Sequence, residues 1–296
     1  MSRLQQLKKR ELVNPPKMVL SGLQYEVIVG SMAYGVKSES SDMDIVGYSM
    51  PRRSDLFPQE NGYIQGFDSI PQPFEQWQKH HVKDDDNGKE YDFTIYNIAK
   101  FFRLVMNANP NMIDTLFVPQ NMILKMTPLA NRVRENRHMF LSKLAWQTYK
   151  GYAYSQMKRM QNMNPKGNRK EIVEKYGYDV KYAYHIVRLL GFVEQILTKH
   201  DLDLQADNDR LMAIRRGEWT LDMVTQFFND KEFELEKVFS NSTLREKPDY
   251  DAIRELLLSS LSDHYGDLTK YIPNQREMGV VNIIKDLNAL IDRYGG

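Results

Sequence analysis

The chain contains no cysteine among its 296 residues. Disulfides and cysteine-ligated metal centres are therefore excluded, and the absence is consistent with a reducing compartment. No apolar run approaches the roughly 18 residues that a membrane-spanning helix requires. Residues 1–17, MSRLQQLKKRELVNPPK, lack the apolar core of a secretory signal. Together these features predict a cytoplasmic protein with no membrane partner.

An excess of charge of one sign is also lacking. The net charge is +1 at pH 7, so composition alone predicts no polyanionic partner. The charge is unevenly distributed, however, because residues 141–200 carry eleven Lys or Arg against four Asp or Glu. The segment KDDDNGKEYD, residues 83–92, is acidic. An acidic centre facing a basic wall and ordinary solvated surface charge both explain this distribution.

Periodicity divides the chain into a part with strands and a part with helices. Strand patterns cover residues 25–29, 43–50 and 90–97. A helical pattern follows in NIAKFFRLVMNANP and ends before Pro110. Farther on, nearly the whole sequence has helical periodicity, in segments 128–162, 179–200, 207–216, 220–230, 232–240, 250–263 and 276–293.

These patterns predict an α+β fold. A small mixed-sheet head would occupy residues 1–125, and an all-helical C-terminal domain would occupy residues 126–296. Residues 52–89 are rich in Gly, Pro, Asp and Gln, which predicts loop with one short strand at GYIQGF. The adjacent His80 and His81 match no zinc spacing and are predicted to lie in this loop, as is the acidic run 84–86.

The stretch VGSMAYGVKSESSDMDIVG, residues 29–47, places a Gly-Ser pair about ten residues before an Asp-x-Asp pair. It lacks the Gly-Lys-Ser/Thr ending of a Walker loop and the three spaced glycines of a Rossmann turn. It also lacks the closing Glu of an EF-hand loop. Metal-assisted nucleotidyl transfer fits the pattern better than any of these.

The reason lies in what each residue type can do. A strand that ends at Gly30 lets the backbone turn close to a phosphate, and Ser31 can donate its hydroxyl and amide to that phosphate. Asp42 and Asp44 point to the same face of a strand, where a cation must separate their charges. Such oxygen ligands suit Mg²⁺ or Mn²⁺. A solvated turn is the alternative, since Ser-Ser-Asp is a common turn composition.

The pattern of Gly-Ser followed by Asp-hydrophobic-Asp-hydrophobic resembles the DNA polymerase beta-like nucleotidyltransferase superfamily. The wording GSMAYGVKSESSDMDIVG looks like a predicted nucleotidyltransferase family of bacteria and phages that includes RNA-repair-associated members. Two further segments resemble that family, IAKFFRLVMNANPNMIDTLF and YGYDVKYAYHIVRLLGFVEQIL, with a weaker match in AIRRGEWTLDMV. The resemblance covers roughly residues 25–225 and makes a phage origin one option.

The resemblance implies a third carboxylate on a neighbouring strand, which helps to hold the metal and to deprotonate the attacking hydroxyl. Asp92 is the first choice, because it lies opposite Tyr91 and Phe93 on an alternating strand. Glu90 shares its face and is the alternative. Asp42, Asp44 and Asp92 would then hold two metal ions about 4 Å apart, around the nucleophile and the α-phosphate of an NTP.

A second candidate feature is the helix predicted over residues 179–200, with Asp179 as its N-cap. Lys181, His185 and Arg188 share one face of it. Solvated cations on a plain amphipathic helix explain this spacing equally well, whereas the resemblance implies contacts with the triphosphate. We add Tyr34 to the nucleotide-binding set, next to Gly30 and Ser31. The predicted buried face consists of Tyr182, Ile186, Leu189, Val193 and Ile196.

The resemblance implies transfer of a nucleoside monophosphate from an NTP, with ATP the expected nucleotide, to an acceptor hydroxyl and with release of pyrophosphate. An RNA or tRNA 3′ end is the preferred acceptor. Three tyrosines interleaved with basic residues on the predicted helix 131–162 would suit RNA, and they would equally suit the edge of a core: Tyr149, Tyr152 and Tyr154, with Lys150, Lys158 and Arg159. Adenylylation of a protein or small molecule and a non-catalytic nucleic-acid-binding module remain alternatives.

Overall fold

The computed structural model describes residues 1–37, 42–64, 74–161, 167–266 and 268. The chain divides into two compact units, one formed by residues 1–51 and 74–257 and the other by residues 52–73 and 258–296. In the second unit, helix α3 (Arg53–Leu56) is followed by a 3₁₀ turn at Pro58–Asn61. The candidate site lies in the first unit.

One mixed sheet of five strands lies in the described part of the first unit. From one edge to the other, its strands are ordered β3-β4-β2-β1-β5. Neighbouring strands are antiparallel except for β2 and β4, which are parallel. The strands are β1 (Leu23–Ile28), β2 (Met43–Ser49), β3 (Gln76–Asp84), β4 (Lys89–Asn97) and β5 (Ile123–Met126).

Helices precede the sheet, connect its strands and make up most of the described chain after Pro128. Short 3₁₀ turns occur at Gln120–Met122 and Arg137–Phe140. The remaining helices are α1 (Arg3–Lys9), α2 (Lys17–Ser21), α4 (Ile98–Met106), α5 (Pro110–Phe117), α6 (Pro128–Glu135), α7 (Leu144–Gln161), α8 (Asn168–Tyr176), α9 (Val180–Lys199), α10 (Asn208–Arg215), α11 (Leu221–Asn241) and α12 (Tyr250–Tyr265). The predicted α+β fold, with strands first and helices after them, is confirmed.

Polar side chains fix where several of these helices begin. The side-chain oxygen of each N-cap residue accepts a hydrogen bond from a backbone N–H in the first helical turn, which satisfies a donor that the helix itself cannot. The Asp179 carboxylate accepts two such hydrogen bonds, from the amides of Lys181 and Tyr182, so its predicted role as N-cap is confirmed. The other caps of this kind are Ser2, Asn97, Thr127 and Thr220.

The sheet has an apolar face and a face that carries the site. On the apolar face, Tyr91, Phe93 and Ile95 of β4 are fully buried in a cluster with Leu4 and Leu7 of α1. The alternate residues of β4 are partly exposed, as the alternating pattern predicted. Burial of one face therefore fixes which way the polar residues of β4 point.

The prediction of loop over residues 52–89 was wrong, because β3 occupies Gln76–Asp84. Few apolar side chains mark this strand, since it lies at the edge of the sheet and exposes most of its residues. Of GYIQGF, residues 62–64 form no strand, and residues 65–67 lie outside the described residues.

Three predicted helical segments also differ from the structure in their extent. The segments 220–230 and 232–240 form one helix, α11, and the segment 128–162 is divided by the 3₁₀ turn. The segment 276–293 lies outside the described residues. No helix in the described part of the chain is both long enough and apolar enough to cross a bilayer.

Candidate active site

The turn after β1 begins at Gly30, whose backbone has a positive φ of 68°. The amide of Val29 still pairs with the carbonyl of Asp44 at 2.9 Å, and the chain then turns through three local backbone hydrogen bonds of 2.9–3.2 Å. A Cβ atom at position 30 would lie 2.5 Å from Oδ2 of Asp44. Glycine is therefore required here both by conformation and by the carboxylate beneath it.

Asp44 and Asp92 are direct register partners on the parallel strands β2 and β4. Burial of the Asp44 carboxyl and the neighbouring charge of Asp92 raise its pKa to about 6, while Lys181 acts in the opposite direction. Met43 and Ile45 lie in the core, as predicted. The sheet thus holds two carboxylates close together, and a cation between them would relieve their electrostatic repulsion.

Asp42 lies one residue before β2 and is exposed. Its charge also raises the pKa of Asp44, which shows that the two carboxylates are within electrostatic reach of each other. No group of three or more His, Asp or Glu side chains among the described residues is arranged to hold a metal ion. The structure therefore pairs Asp44 with Asp92 but does not assemble the predicted set of three.

A bulge in the edge strand β3 supports Asp92. The register shifts between Lys79 and Val82, and His81 has a positive φ of 56°. The amide of His81 donates to Oδ1 of Asp92 at 2.8 Å, and Nδ1 of His80 lies 3.2 Å from its Oδ2. The prediction that both histidines lie in a loop was wrong.

Glu90, the alternative third acid, has a different partner. Its carboxylate pairs with the imidazole of His81, which raises the pKa of that histidine. Asp92 lines the cavity described below, and Glu90 is not among the residues that line it. Of the two acids, Asp92 is therefore the one that faces the cavity.

Helix α9 brings its predicted residues into three different environments. Lys181 is exposed, whereas His185 is half-buried and has a pKa well below its usual value, because burial and nearby cations disfavour the imidazolium. Arg188 is buried, with 3% of its side chain exposed. The predicted buried face is confirmed for Ile186 and its apolar successors, but burial also extends to the face of Arg188.

Arg188 forms an ion pair that the sequence did not indicate. Its Nη1 donates to Oδ2 of Asp114 at 2.6 Å and to the hydroxyl of Tyr34 at 2.9 Å. The Tyr34 hydroxyl in turn donates to Asp114 at 2.7 Å. The guanidinium carbon lies 4.4 Å from the centre of the Tyr34 ring. Arg188 thus connects the Gly30 turn to α5 and α9 through neutralised, buried contacts.

A cavity of about 320 Å³ joins these parts. Of the residues predicted from sequence, six line it: Gly30, Tyr34, Asp44, Asp92, His185 and Arg188. Ser31, Asp42 and Lys181 do not line it. Asn111, Tyr96 and His80 contribute to its wall and were not predicted. The cavity thus combines two carboxylates with one guanidinium, two imidazoles and two tyrosine rings.

Asp114 could have been recognised from the sequence, because it is the only charged residue in the segment NPNMIDTLF, residues 109–117, and lies among apolar side chains at 112, 113, 116 and 117. A charge at such a position needs a buried partner of opposite sign. No sequence signal indicated that His80 would line the cavity, because the residues around it are polar and its position depends on the bulge in β3.

The tyrosine and basic residues predicted on α7 lie in different environments: Tyr152, Lys158 and Arg159 are exposed, whereas others are buried or paired. Tyr149 is fully buried. Lys150 pairs with Glu232 and Glu236 of α11, at 2.8 and 2.7 Å, and the Tyr154 hydroxyl donates to Glu232. The carboxylates of α11 therefore neutralise part of this surface, at Lys150 and Tyr154, and leave the RNA acceptor a prediction.

Comparisons with known proteins identify the family of this chain. A search of curated protein sequences found no match. Among solved structures, the chain is similar to a nucleotidyltransferase-like protein from Exiguobacterium sibiricum 255-15, with 10% identity and a TM-score of 0.28. That similarity covers 98% of this chain and 90% of the other. A family model described as the RNA repair pathway DNA polymerase beta family, RlaP, matches residues 1–259, and the chain therefore belongs to this family.

Proposed function

We propose that the protein is a divalent-metal-dependent nucleotidyltransferase that moves a nucleoside monophosphate from an NTP, in the first instance ATP, to an RNA 3′ hydroxyl. The observation that carries the proposal is the direct pairing of Asp44 with Asp92 beneath the Gly30 turn. The family is described by an RNA repair pathway, which supports RNA as the acceptor.

The donor set at this pair suits a hard cation. Two carboxylates face one cavity, and the raised pKa of Asp44 reflects desolvation of its carboxyl and then the charge of Asp92. Asp44 and Asp92 would hold Mg²⁺ or Mn²⁺ with Asp42 beside them, and water and phosphate oxygens would complete the coordination. When bound, the ion would lower the pKa of the attacking hydroxyl and neutralise charge on the phosphates.

The protein's own groups would orient the substrates. The amides and the Ser31 hydroxyl at the Gly30 turn would donate to the phosphates, and Lys181 and His185 would lie along them. The acceptor oxygen would attack the α-phosphorus as the bond to the leaving pyrophosphate breaks. The β3 bulge would keep Asp92 oriented through the reaction.

Incubation with each α-³²P-labelled NTP, Mg²⁺ or Mn²⁺, and an RNA with a free 3′ hydroxyl tests the proposal. We expect labelled RNA and pyrophosphate, no label on RNA with a blocked 3′ end, and loss of both products in Asp42→Ala/Asp44→Ala. Asp222→Asn, which removes a carboxylate on α11, serves as the charge-loss control and should remain active.

The same reaction distinguishes the alternatives. Label on a protein band or a small molecule in added lysate, with none on RNA, would identify an adenylylating enzyme. If no acceptor takes label and the double variant binds RNA as tightly as the wild type, the protein is a binding module and the proposal fails.

A further inference from the structure

Arg215, the last residue of α10, contacts the turn that follows β1. Its Nη1 donates to the carbonyl of Val36 at 2.6 Å. The Nε2 of Gln205 donates to the carbonyl of Ala33 in the same turn at 3.1 Å. The helical part of the first unit therefore holds the turn that begins at Gly30, and Arg215 provides a charged contact to it.

The same guanidinium lies at one end of a row of rings that leads to the cavity. Its central carbon is 5.4 Å from the centre of the Tyr184 ring, and that ring centre is 4.2 Å from the centre of the His185 ring. His185 lines the cavity. Arg215 thus lies beyond the cavity wall, on the side where the Gly30 turn ends.

Four cationic side chains lower the pKa of His185. After burial, the charges of Arg188, Lys181, Arg215 and Arg169 hold its pKa well below the usual value, so all four lie within electrostatic reach of one imidazole. Such a concentration of positive charge around a neutral ring is typical of an anion-binding site.

These cations differ in how far protein acids neutralise them. Arg188 is paired with Asp114, and Arg169 is paired with Asp179 at 2.9 Å. Arg215 is held by a carbonyl, and no acid among the described residues forms an ion pair with it. Its charge is therefore available to an anion, as is that of the exposed Lys181.

Packing of the turn after Arg215 constrains the backbone that carries this side chain. Gly217 has a positive φ of 78°, and a Cβ atom there would lie 2.1 Å from the ring of Tyr176. The Tyr178 hydroxyl donates to the carbonyl of Trp219 at 2.7 Å. An arginine on so firmly packed a turn loses little further freedom when it binds a ligand.

We propose that Arg215 binds the phosphate chain of the nucleotide. It would do so through the guanidinium N–H groups that do not donate to the Val36 carbonyl. Arginine has five donors in a planar fork, so one can hold the carbonyl while others reach phosphate oxygens. The inference deepens the proposed function and rests on it. It makes α10, together with α9, part of the nucleotide site.

Binding of inorganic tripolyphosphate, of each NTP with Mg²⁺ and of the matching nucleosides tests the inference. For Arg215→Ala we expect a loss of about 10-fold to 100-fold in affinity for tripolyphosphate and NTP, as for a charge-assisted hydrogen bond, with nucleoside binding unchanged. Arg216→Ala is the matched control, because the neighbouring Arg216 is exposed and paired with Glu218. It should bind all ligands as the wild type does.

The possible results separate this inference from the proposed function. Equal tripolyphosphate affinity in Arg215→Ala and wild type overturns the inference alone, as does an equal loss for nucleoside and triphosphate, which would indicate a purely structural role. If the wild type binds no triphosphate, both proposals fail. Arg215→Gln, which keeps a side-chain donor but removes the charge, decides the matter if Arg215→Ala does not fold.

Discussion

Nη1 of Arg188 lies 2.6 Å from Oδ2 of Asp114, and both side chains are almost completely buried. The Tyr34 hydroxyl contacts both, so three segments distant in sequence share one polar cluster beneath the cavity. The other carboxylate oxygen of Asp114 and Nε of Arg188 are buried without a partner among the described residues. Breaking such a pair on one side leaves an uncompensated charge.

We therefore expect Asp114→Ala to lower the free energy of unfolding by about 3–5 kcal/mol, because Arg188 would remain charged in an apolar environment. Urea denaturation measures this change. The double variant Asp114→Leu/Arg188→Met should recover most of the lost stability, since it removes both charges. A loss below about 1 kcal/mol in Asp114→Ala would show that water reaches the pair.

Asp44→Asn should stabilise the metal-free protein at neutral pH. The folded protein raises the pKa of Asp44 from 3.8 to about 6, so ionising it opposes folding above that range. The protein around it partly desolvates the Asp44 carboxyl, but the residue as a whole is exposed, so solvent screening reduces the expected gain to about 1 kcal/mol. The sign follows from linkage: the advantage of Asn is absent below pH 3.8, grows between pH 3.8 and 6, and is constant above.

Thermal unfolding at several pH values, with a chelator present, measures the effect of Asp44→Asn. Added Mg²⁺ should reverse the order of stability, because only the wild type gains from the ion. A variant that is no more stable than wild type at pH 8 would contradict the electrostatic interpretation of this site.

Asp92→Asn and Glu90→Gln distinguish the two candidates for the third carboxylate. We expect Asp92→Asn to lower kcat by at least about 100-fold, because it removes a charge that faces the cavity. Glu90→Gln should stay within about threefold of wild type. If kcat fell by a similar factor in both variants, neither Asp92 nor Glu90 alone would be the third carboxylate.

His80→Ala should lower kcat by about tenfold with a smaller effect on KM for the NTP, because it frees one oxygen of Asp92. His81→Ala is the control, since its backbone amide still donates to Asp92 while its imidazole contacts only Glu90 among the acids. Steady-state kinetics of both variants separates a role in orienting Asp92 from a general effect of losing a histidine.

Gly30→Ala should abolish transfer and destabilise the protein by about 1–3 kcal/mol. The new Cβ would meet the Asp44 carboxylate at 2.5 Å in a backbone conformation that alanine disfavours. Gly62→Ala also changes a glycine of positive φ, yet its Cβ would meet no atom within 4 Å. The loss of stability in Gly62→Ala therefore measures the effect of the backbone conformation alone. The additional loss in Gly30→Ala measures the effect of the contact with Asp44.

Much of the site followed from short-range pattern. The alternation around Asp44 and Asp92 predicted both strands and the faces of their side chains, because one face of each had to be buried. The N-cap at Asp179 was predicted for a similar local reason. Such features depend on neighbours within a few residues, which the sequence displays directly.

The remaining parts depend on contacts between distant segments. Neither the bulge at His81 nor the pairing of Arg188 with Asp114 is visible in local periodicity. Spacing placed Arg188 in a row with Lys181, but it could not show that a buried acid from α5 would meet one of them. The helical spacing was right, while the environments of the three side chains differ.

Arg10, which follows α1, holds Asp84 at the far end of β3 through two hydrogen bonds of 2.6 and 2.7 Å. Asp84 is the residue at which β3 ends, and the same strand carries the bulge that contacts Asp92. The first helix therefore serves as an anchor for the outer strand, although none of its residues enters the cavity. Shortening or replacing this helix would remove that support and make β3 more mobile. The orientation of Asp92, more than 80 positions later in the chain, would then be less well defined.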